Sequence, residues 1–141
     1  MIQSYQYQSV IYKEDTGMKK LLVCDKCGKM LEMVQEHGCP TKCCGEPMRE
    51  LQPNTTDAAV EKHVPVVAVE GNKVKVSVGS VEHPMTEDHR ITWIALYTDK
   101  GMQRKFLEPG NKAYAEFALL DGEKLEAAYA YCNLHGLWEG K

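Results

Sequence analysis

The sequence predicts a mainly β protein, a small metal-stabilised module followed by an immunoglobulin-like antiparallel β-sandwich. Three observations carry this expectation. Six Cys and five His fall within 141 residues. Five of the Cys, four of them in two close pairs, lie in a stretch with few large apolar side chains, which needs a metal to supply its folding energy. Beyond it come short alternating or apolar runs separated by Gly, Asn, Asp and Pro turn signals.

Residues 1–17 are polar and tyrosine-rich, with weak alternation over residues 5–12. They read either as an added edge strand or as a disordered extension. They show no basic start, apolar centre or small-residue cleavage site, so they are not a signal peptide. The expected location is the cytoplasm, where thiols stay reduced and clustered Cys more often hold metal than pair as disulfides. A formal net charge of −3 gives no general drive toward nucleic acid or an anionic membrane. No run of 18 apolar residues is present to span a bilayer.

Residues 18–52 form the first expected domain. Leu21, Leu22, Val23, Met30, Leu31, Met33 and Val34 are too few for a core without metal. Residues 52–57 (QPNTTD) read as a turn-rich linker. The second expected domain, residues 53–141, carries the strand pattern. Residues 64–69 are an apolar run, 73–78 (KVKVSV) alternate strictly, 90–98 (RITWIALYT) are apolar and aromatic, and 113–120 alternate again. Residues 124–132 (KLEAAYAYC) suit helix or strand by composition, and the preceding Asp121-Gly122 turn favours a hairpin strand. Strands at this spacing suggest an antiparallel sandwich.

Cys24-x2-Cys27, followed by Cys43-Cys44, places four thiolates within 21 positions. A two-residue gap lets both sulfurs of one turn reach one cation, and four sulfurs complete a tetrahedron. Gly28 and Gly45, each directly after a Cys, let the backbone turn back toward it. Structural zinc is the plainest reading, although the adjacent pair Cys43-Cys44 departs from two spaced pairs. A thioredoxin-like dithiol lacks the surrounding βαβ pattern. Cys39 has no obvious slot, and His37 reads as a surface residue of the same loop.

His63, His83, His89 and His135 all lie in the second domain at the edges of expected strands, and His135 follows Cys132 by three residues. Loops between strands can gather ligands from distant positions. Imidazoles with one thiolate suit iron, copper or zinc, so the spacing leaves the metal open.

Longer motifs narrow the choice. Glu61-Lys62-His63-Val64-Pro65, His83-Pro84-Met85 through His89, and Tyr131-Cys132-Asn133-Leu134-His135-Gly136-Leu137-Trp138 occur in that order. They follow Cys24-x2-Cys27 and Cys43-Cys44-Gly45-Glu46-Pro47-Met48. Over residues 18–141 the chain resembles the desulfoferrodoxins, two-iron superoxide reductases. The resemblance implies a desulforedoxin-like (rubredoxin-type) module with iron on Cys24, Cys27, Cys43 and Cys44, where zinc can substitute. It implies a neelaredoxin-like domain whose catalytic iron takes His63, His83, His89 and His135 as equatorial ligands and Cys132 as axial ligand. It further implies a homodimer that reduces superoxide to hydrogen peroxide with electrons from a rubredoxin-like donor. One-iron members of the family remain active, so the four-cysteine iron has an electron-transfer or structural role. Cys39 and residues 1–17 stay unexplained.

The residue chemistry agrees with the resemblance. Four neutral imidazoles and one thiolate leave a six-coordinate metal one open position, and an axial thiolate pushes electron density onto iron. Pro84 restricts His83 to extended backbone. Lys62 would attract the superoxide anion, and Glu61 matches the family residue that occupies the open position on ferric iron after turnover. Trp93 and Trp138, if buried, would either dry the site or belong to ordinary sandwich core. The rival readings are a zinc-binding regulatory or structural module without redox activity, a dismutating metalloenzyme, and a disulfide-bonded extracellular sandwich.

Overall fold

The computed structural model describes residues 19–141, so the expectations for residues 1–17 lie outside the described residues. Five short strands come first: β1 (Leu21–Val23), β2 (Met30–Glu32), β3 (Lys42–Cys43), β4 (Glu46–Pro47) and β5 (Arg49–Glu50). A single helical turn, α1 (Val60–His63), leads into β6 (Pro65–Glu70), β7 (Lys73–Val78) and β8 (Ile91–Thr98). The chain ends with β9 (Gly101–Phe106), β10 (Tyr114–Ala118), β11 (Leu125–Cys132) and β12 (Gly136–Gly140). Among the described residues no helix is long and apolar enough to cross a membrane.

The mainly β expectation is borne out. A three-stranded sheet, ordered β10-β7-β6, faces a four-stranded sheet, ordered β12-β11-β8-β9. Every pairing within them is antiparallel. The strict alternation of β7 buries Val74, Val76 and Val78 and leaves its lysines outside. Residues 125–132, ambiguous by composition, are the strand β11. β9 and β12 were not expected. The sequence of β9, GMQRKF, carries too few apolar residues to signal a strand, and β12 begins on a glycine inside a motif read for its ligands.

β8 and β11 lack alternation because both of their faces are covered. Ile94 and Leu96 of β8, with Ala128, Ala130 and Cys132 of β11, face the other sheet of the sandwich. Trp93, Ala95 and Tyr97, with Ala127 and Tyr129, face outward and meet Leu21, Val23 and Leu51. A register shift between Tyr131 and Cys132 pairs Tyr131 with Trp93 but Cys132 with Ile91. This bulge, at the end of the sheet that carries the site, turns Ile91 into the sandwich core.

The four-cysteine stretch has a three-stranded sheet of its own, ordered β2-β1-β5. Its core is not self-contained, as the count of apolar residues suggested, but shared. Leu21 and Val23 of β1 and Leu51 are buried against the outer face of the four-stranded sheet. Polar groups tie the same joint. Arg104 pairs with Glu32 at 3.1 Å, the Tyr97 hydroxyl donates to Glu32, and the Arg104 guanidinium lies 4.8 Å from the Trp93 ring centre. Residues 52–57 are pinned to β12: the Asn54 backbone N–H donates to the Leu137 carbonyl, and the Glu139 N–H donates to Asn54 Oδ1.

Candidate metal centres

The first centre gathers Cys24, Cys27, Cys43 and Cys44, whose sulfurs lie within 4.8 Å of one another. Cys24 directly follows β1, and the next residues turn back through Gly28 at φ 74°, with the Gly28 N–H donating to the Cys24 carbonyl. The second pair sits on the β3–β4 turn, where Cys44 (φ 53°) and Gly45 (φ 79°) are both left-handed. That turn lets adjacent residues aim both sulfurs one way, which explains the unspaced pair. Cys27 Sγ lies 3.6 Å from Cys43 Sγ, and Cys43 Sγ 4.0 Å from Cys44 Sγ. Backbone N–H groups, Cys27 first and then Lys26, draw the Cys24 thiol down to about 7 against its desolvation. Neighbouring sulfurs, Cys27 first, push Cys44 up to about 12. Four thiolates at these distances repel, and a cation among them relieves it. Cys39 and His37 are exposed and stand outside the cluster.

The second centre brings together His63, His83, His89, Cys132 and His135. His63 ends α1, and Pro65 forces Val64 to extended backbone, so the helix stops there. His83 and His89 lie in the β7–β8 connection, Cys132 is the last residue of β11, and His135 sits in the β11–β12 turn. The rings close a cycle. Centroid distances are 4.7 Å for His63–His83, 4.7 Å for His83–His89, 5.0 Å for His89–His135 and 4.8 Å for His135–His63, each pair edge to face. Cys132 is fully buried, and its sulfur lies 3.7 Å from His135 Nδ1. His63 and His83 are buried, while His89 and His135 are half-buried.

The ring nitrogens show why this cluster fits a cation. His63 donates Nδ1–H to the Ala59 carbonyl and His83 donates Nδ1–H to the Pro84 carbonyl, both at 2.7 Å. Their Nε2 atoms are then lone-pair acceptors, yet they face each other at 3.1 Å. His135 Nδ1 points at His63 Nε2 from 3.0 Å. His89 Nε2 is buried with no partner at all. Burial holds His63 and His89 below the ordinary imidazole range and drives His83 down to about 4, so the rings stay neutral. Burial also raises the Cys132 thiol, so a metal binding there must displace its proton. Carbonyls behind coordinating imidazoles are the usual device for fixing tautomer and orientation.

Two supports lie behind the ligands: the sequence offers Trp138 as a candidate to dry the site, but gives no signal for Gly79. Trp138 stacks on His63 at 4.9 Å and donates its indole N–H to the His135 carbonyl. Trp93, the other tryptophan, is buried in the second core instead. The other support is Gly79, where an added Cβ would lie 2.2 Å from the Glu61 carbonyl oxygen. Its loop grips that carbonyl through the Val81 N–H and the Ser80 hydroxyl. Glu61 and Lys62 themselves are exposed on α1 beside the ring of histidines.

A protein-family model described as Desulfoferrodoxin matches residues 55–141. The chain belongs to the desulfoferrodoxin family. A desulfoferrodoxin homolog of Archaeoglobus fulgidus is 45% identical over 124 residues, which cover 88% of this chain and 98% of that relative. A desulfoferrodoxin of Nitratidesulfovibrio vulgaris is 46% identical over 118 residues, 84% of this chain and 92% of its own. The superoxide reductase of Treponema pallidum superposes with a TM-score of 0.73 at 42% identity, covering 87% of this chain and 100% of that one. A one-iron superoxide reductase from Giardia intestinalis matches 57% of this chain and 95% of its own at 41% identity, with a TM-score of 0.50.

In this desulfoferrodoxin-family chain both donor sets fit iron. The four sulfurs offer the tetrahedral thiolate set of a rubredoxin-type centre, and the four imidazoles with one thiolate offer a mixed nitrogen and sulfur set that leaves a position open.

Proposed function

We propose that this chain reduces superoxide to hydrogen peroxide at the His63, His83, His89, His135 and Cys132 centre. The closed cycle of four imidazoles around one buried thiol is the observation that carries the reading. Iron bound there supplies the single electron that, with two protons, turns superoxide into peroxide. The protein's own groups do the rest. His63, His83 and Cys132 are buried and keep water from the inner side, while the half-buried His89 and His135 mark the side open to a small anion. Lys62, exposed beside His63, raises the local concentration of superoxide in a chain whose net charge is −3. Glu61, on the same turn, would offer a carboxylate to the position that the five ligands leave open. Nucleic acid and membrane have no place in this reading.

The finer assignments belong to the same reading. Residues 18–52 act as a desulforedoxin-like module whose four-cysteine iron transfers electrons or stabilises structure, and residues 53–141 act as the reductase domain. The Giardia intestinalis relative, a one-iron protein matching 57% of this chain, supports treating the first iron as dispensable for the reaction. A rubredoxin-like donor, a homodimer and a cytoplasmic setting complete the reading.

Metal analysis with an absorption spectrum, before and after oxidation, tests it directly. Two irons per chain, visible thiolate bands and one reductant equivalent consumed per superoxide are expected. A colourless zinc protein would support the regulatory alternative instead, and oxygen evolved without a donor would mean dismutation.

A further inference from the structure

His89 is the ligand whose ring is held least by its own hydrogen bonds. His63 and His83 anchor their rings through Nδ1–H on carbonyls, but His89 Nε2 is buried and unpartnered and its ring only abuts those of His83 and His135. Its orientation must come from its backbone. The residues on either side of it are gripped by one side chain. Asn133 Oδ1 accepts the Arg90 N–H at 2.8 Å, and Asn133 Nδ2 donates to the Asp88 carbonyl at 2.9 Å. The Asn133 backbone N–H also donates to the Arg90 carbonyl at 3.1 Å.

We propose that Asn133 is a positioning residue for His89, its side-chain amide clamping the backbone on both sides of that histidine beyond the end of the sheet. The β11–β8 ladder ends at the pair Cys132–Ile91. In an antiparallel ladder, bonded residues exchange both of their backbone contacts with a single opposite number. Beyond that end the Asn133 amide instead spans His89, bonding the residue on each side of it. Only a planar group with one acceptor and one donor can bond both Arg90 N–H and Asp88 C=O. Asp has no donor for the carbonyl, and Ser has too short a reach. Thr86 closes the inner side: its hydroxyl accepts the His89 N–H, and its own N–H donates to the His89 carbonyl. Because Asn133 directly follows Cys132, one turn both delivers the thiolate and sets the imidazole that comes from another loop.

The inference rests on the metal site proposed above, and a double-mutant cycle separates the two. Iron release from the oxidised holoprotein to a chelator is followed through the visible band of each centre, in wild type, Asn133→Ala, Asn133→Asp, His89→Ala and the Asn133→Ala/His89→Ala pair. Asn133→Ala should release the histidine-bound iron about 10-fold faster and shift its thiolate band, with the four-cysteine iron unaffected. Asn133→Asp, which keeps the acceptor arm, should fall between and serves if the alanine variant does not fold. In the His89→Ala background, Asn133→Ala should add no further loss. Unchanged release in either single Asn133 variant, or an undiminished Asn133 effect once His89 is gone, overturns the positioning role. Unchanged release in His89→Ala overturns the metal assignment of His89, and the role of Asn133 with it.

Discussion

The Nε2 atoms of His63 and His83 lie 3.1 Å apart, although each ring has already spent its Nδ1 proton on a backbone carbonyl. Two lone pairs at that distance are stable only around a shared positive centre, a metal or a proton. Burial decides between them. It pushes His83 down to about 4 and His63 below its usual range, so near neutral pH no proton is available and the place belongs to a metal.

Acid should therefore destabilise the metal-free protein in a defined window. An unfolded His takes up its proton near pH 6.5, whereas folded His83 does so near 4. Between those values the unfolded state holds the extra proton, so stability is intact above 6.5 and falls as pH drops toward 4. The slope for one such group is about 1.4 kcal/mol per pH unit, and His63 acts in the same direction. Urea denaturation of chelator-treated protein from pH 7.5 to 4.5 measures it. A flat profile would mean that the rings are already charged when folded.

Cys132→Ser should remove the thiolate-to-iron band and most superoxide reduction while the sandwich survives. The sulfur is fully buried at the end of β11, and Ser is smaller and keeps a hydrogen-bonding head, so the cost to folding should be about 1–2 kcal/mol. Visible absorption and superoxide decay provide the test. A variant that retains both would move the sulfur ligand elsewhere.

Lys62→Ala should slow the second-order reaction with superoxide and flatten its dependence on ionic strength. Among the described residues Lys62 has no ion-pair partner, so its charge is unspent. At 0.1 M salt the reach of such an exposed charge is cut to about 10 Å. Pulse-generated superoxide at several salt concentrations gives both numbers. An unchanged salt profile would exclude steering by this residue.

Much of the site could be read from the sequence because ligand chemistry is written in residue type. Two close pairs of thiols fall within 21 positions, and the long motifs around His63, His83 and Cys132 fix their order. The supports were not legible, because they are made of backbone and shape. The Ala59 carbonyl, the missing Cβ of Gly79 and the amide of Asn133 gain their roles only when loops distant in sequence meet. The same limit hid the true core of the first module. Leu21, Val23 and Leu51 look too few until Trp93, Tyr97 and Tyr129 are found across from them.

That shared core bears on what Cys43→Ser should do. Losing one of four thiolates should empty the first centre of iron, yet β1 remains packed on the four-stranded sheet through Leu21 and Val23. Superoxide reduction and most of the thermal stability should persist. Iron stoichiometry falling from two to one, with activity retained, is the expected result. Complete loss of activity would show that electrons must enter through the four-cysteine centre.

Gly79→Ala should disturb the catalytic centre from outside it. Two effects add there and can be separated. Gly79 has φ +47°, and an alanine in left-handed backbone costs about 1–2 kcal/mol by itself. The new Cβ would also stand 2.2 Å from the Glu61 carbonyl oxygen and 2.6 Å from the Lys62 carbonyl carbon, both rigid backbone. One of the two segments must move, and the contact that yields is the grip of the Val81 N–H on Glu61. α1 would then shift, carrying His63 and Lys62 with it. Gly71 in the β6–β7 turn is the matched control, with φ +60° and no atom within 4 Å of an added Cβ. Gly71→Ala should lower the melting temperature through backbone strain alone and keep full iron at the histidine centre. Gly79→Ala should lower it further and weaken iron retention at that centre. Equal losses from the two substitutions, with iron retained in both, would show that Gly79 is only a turn residue.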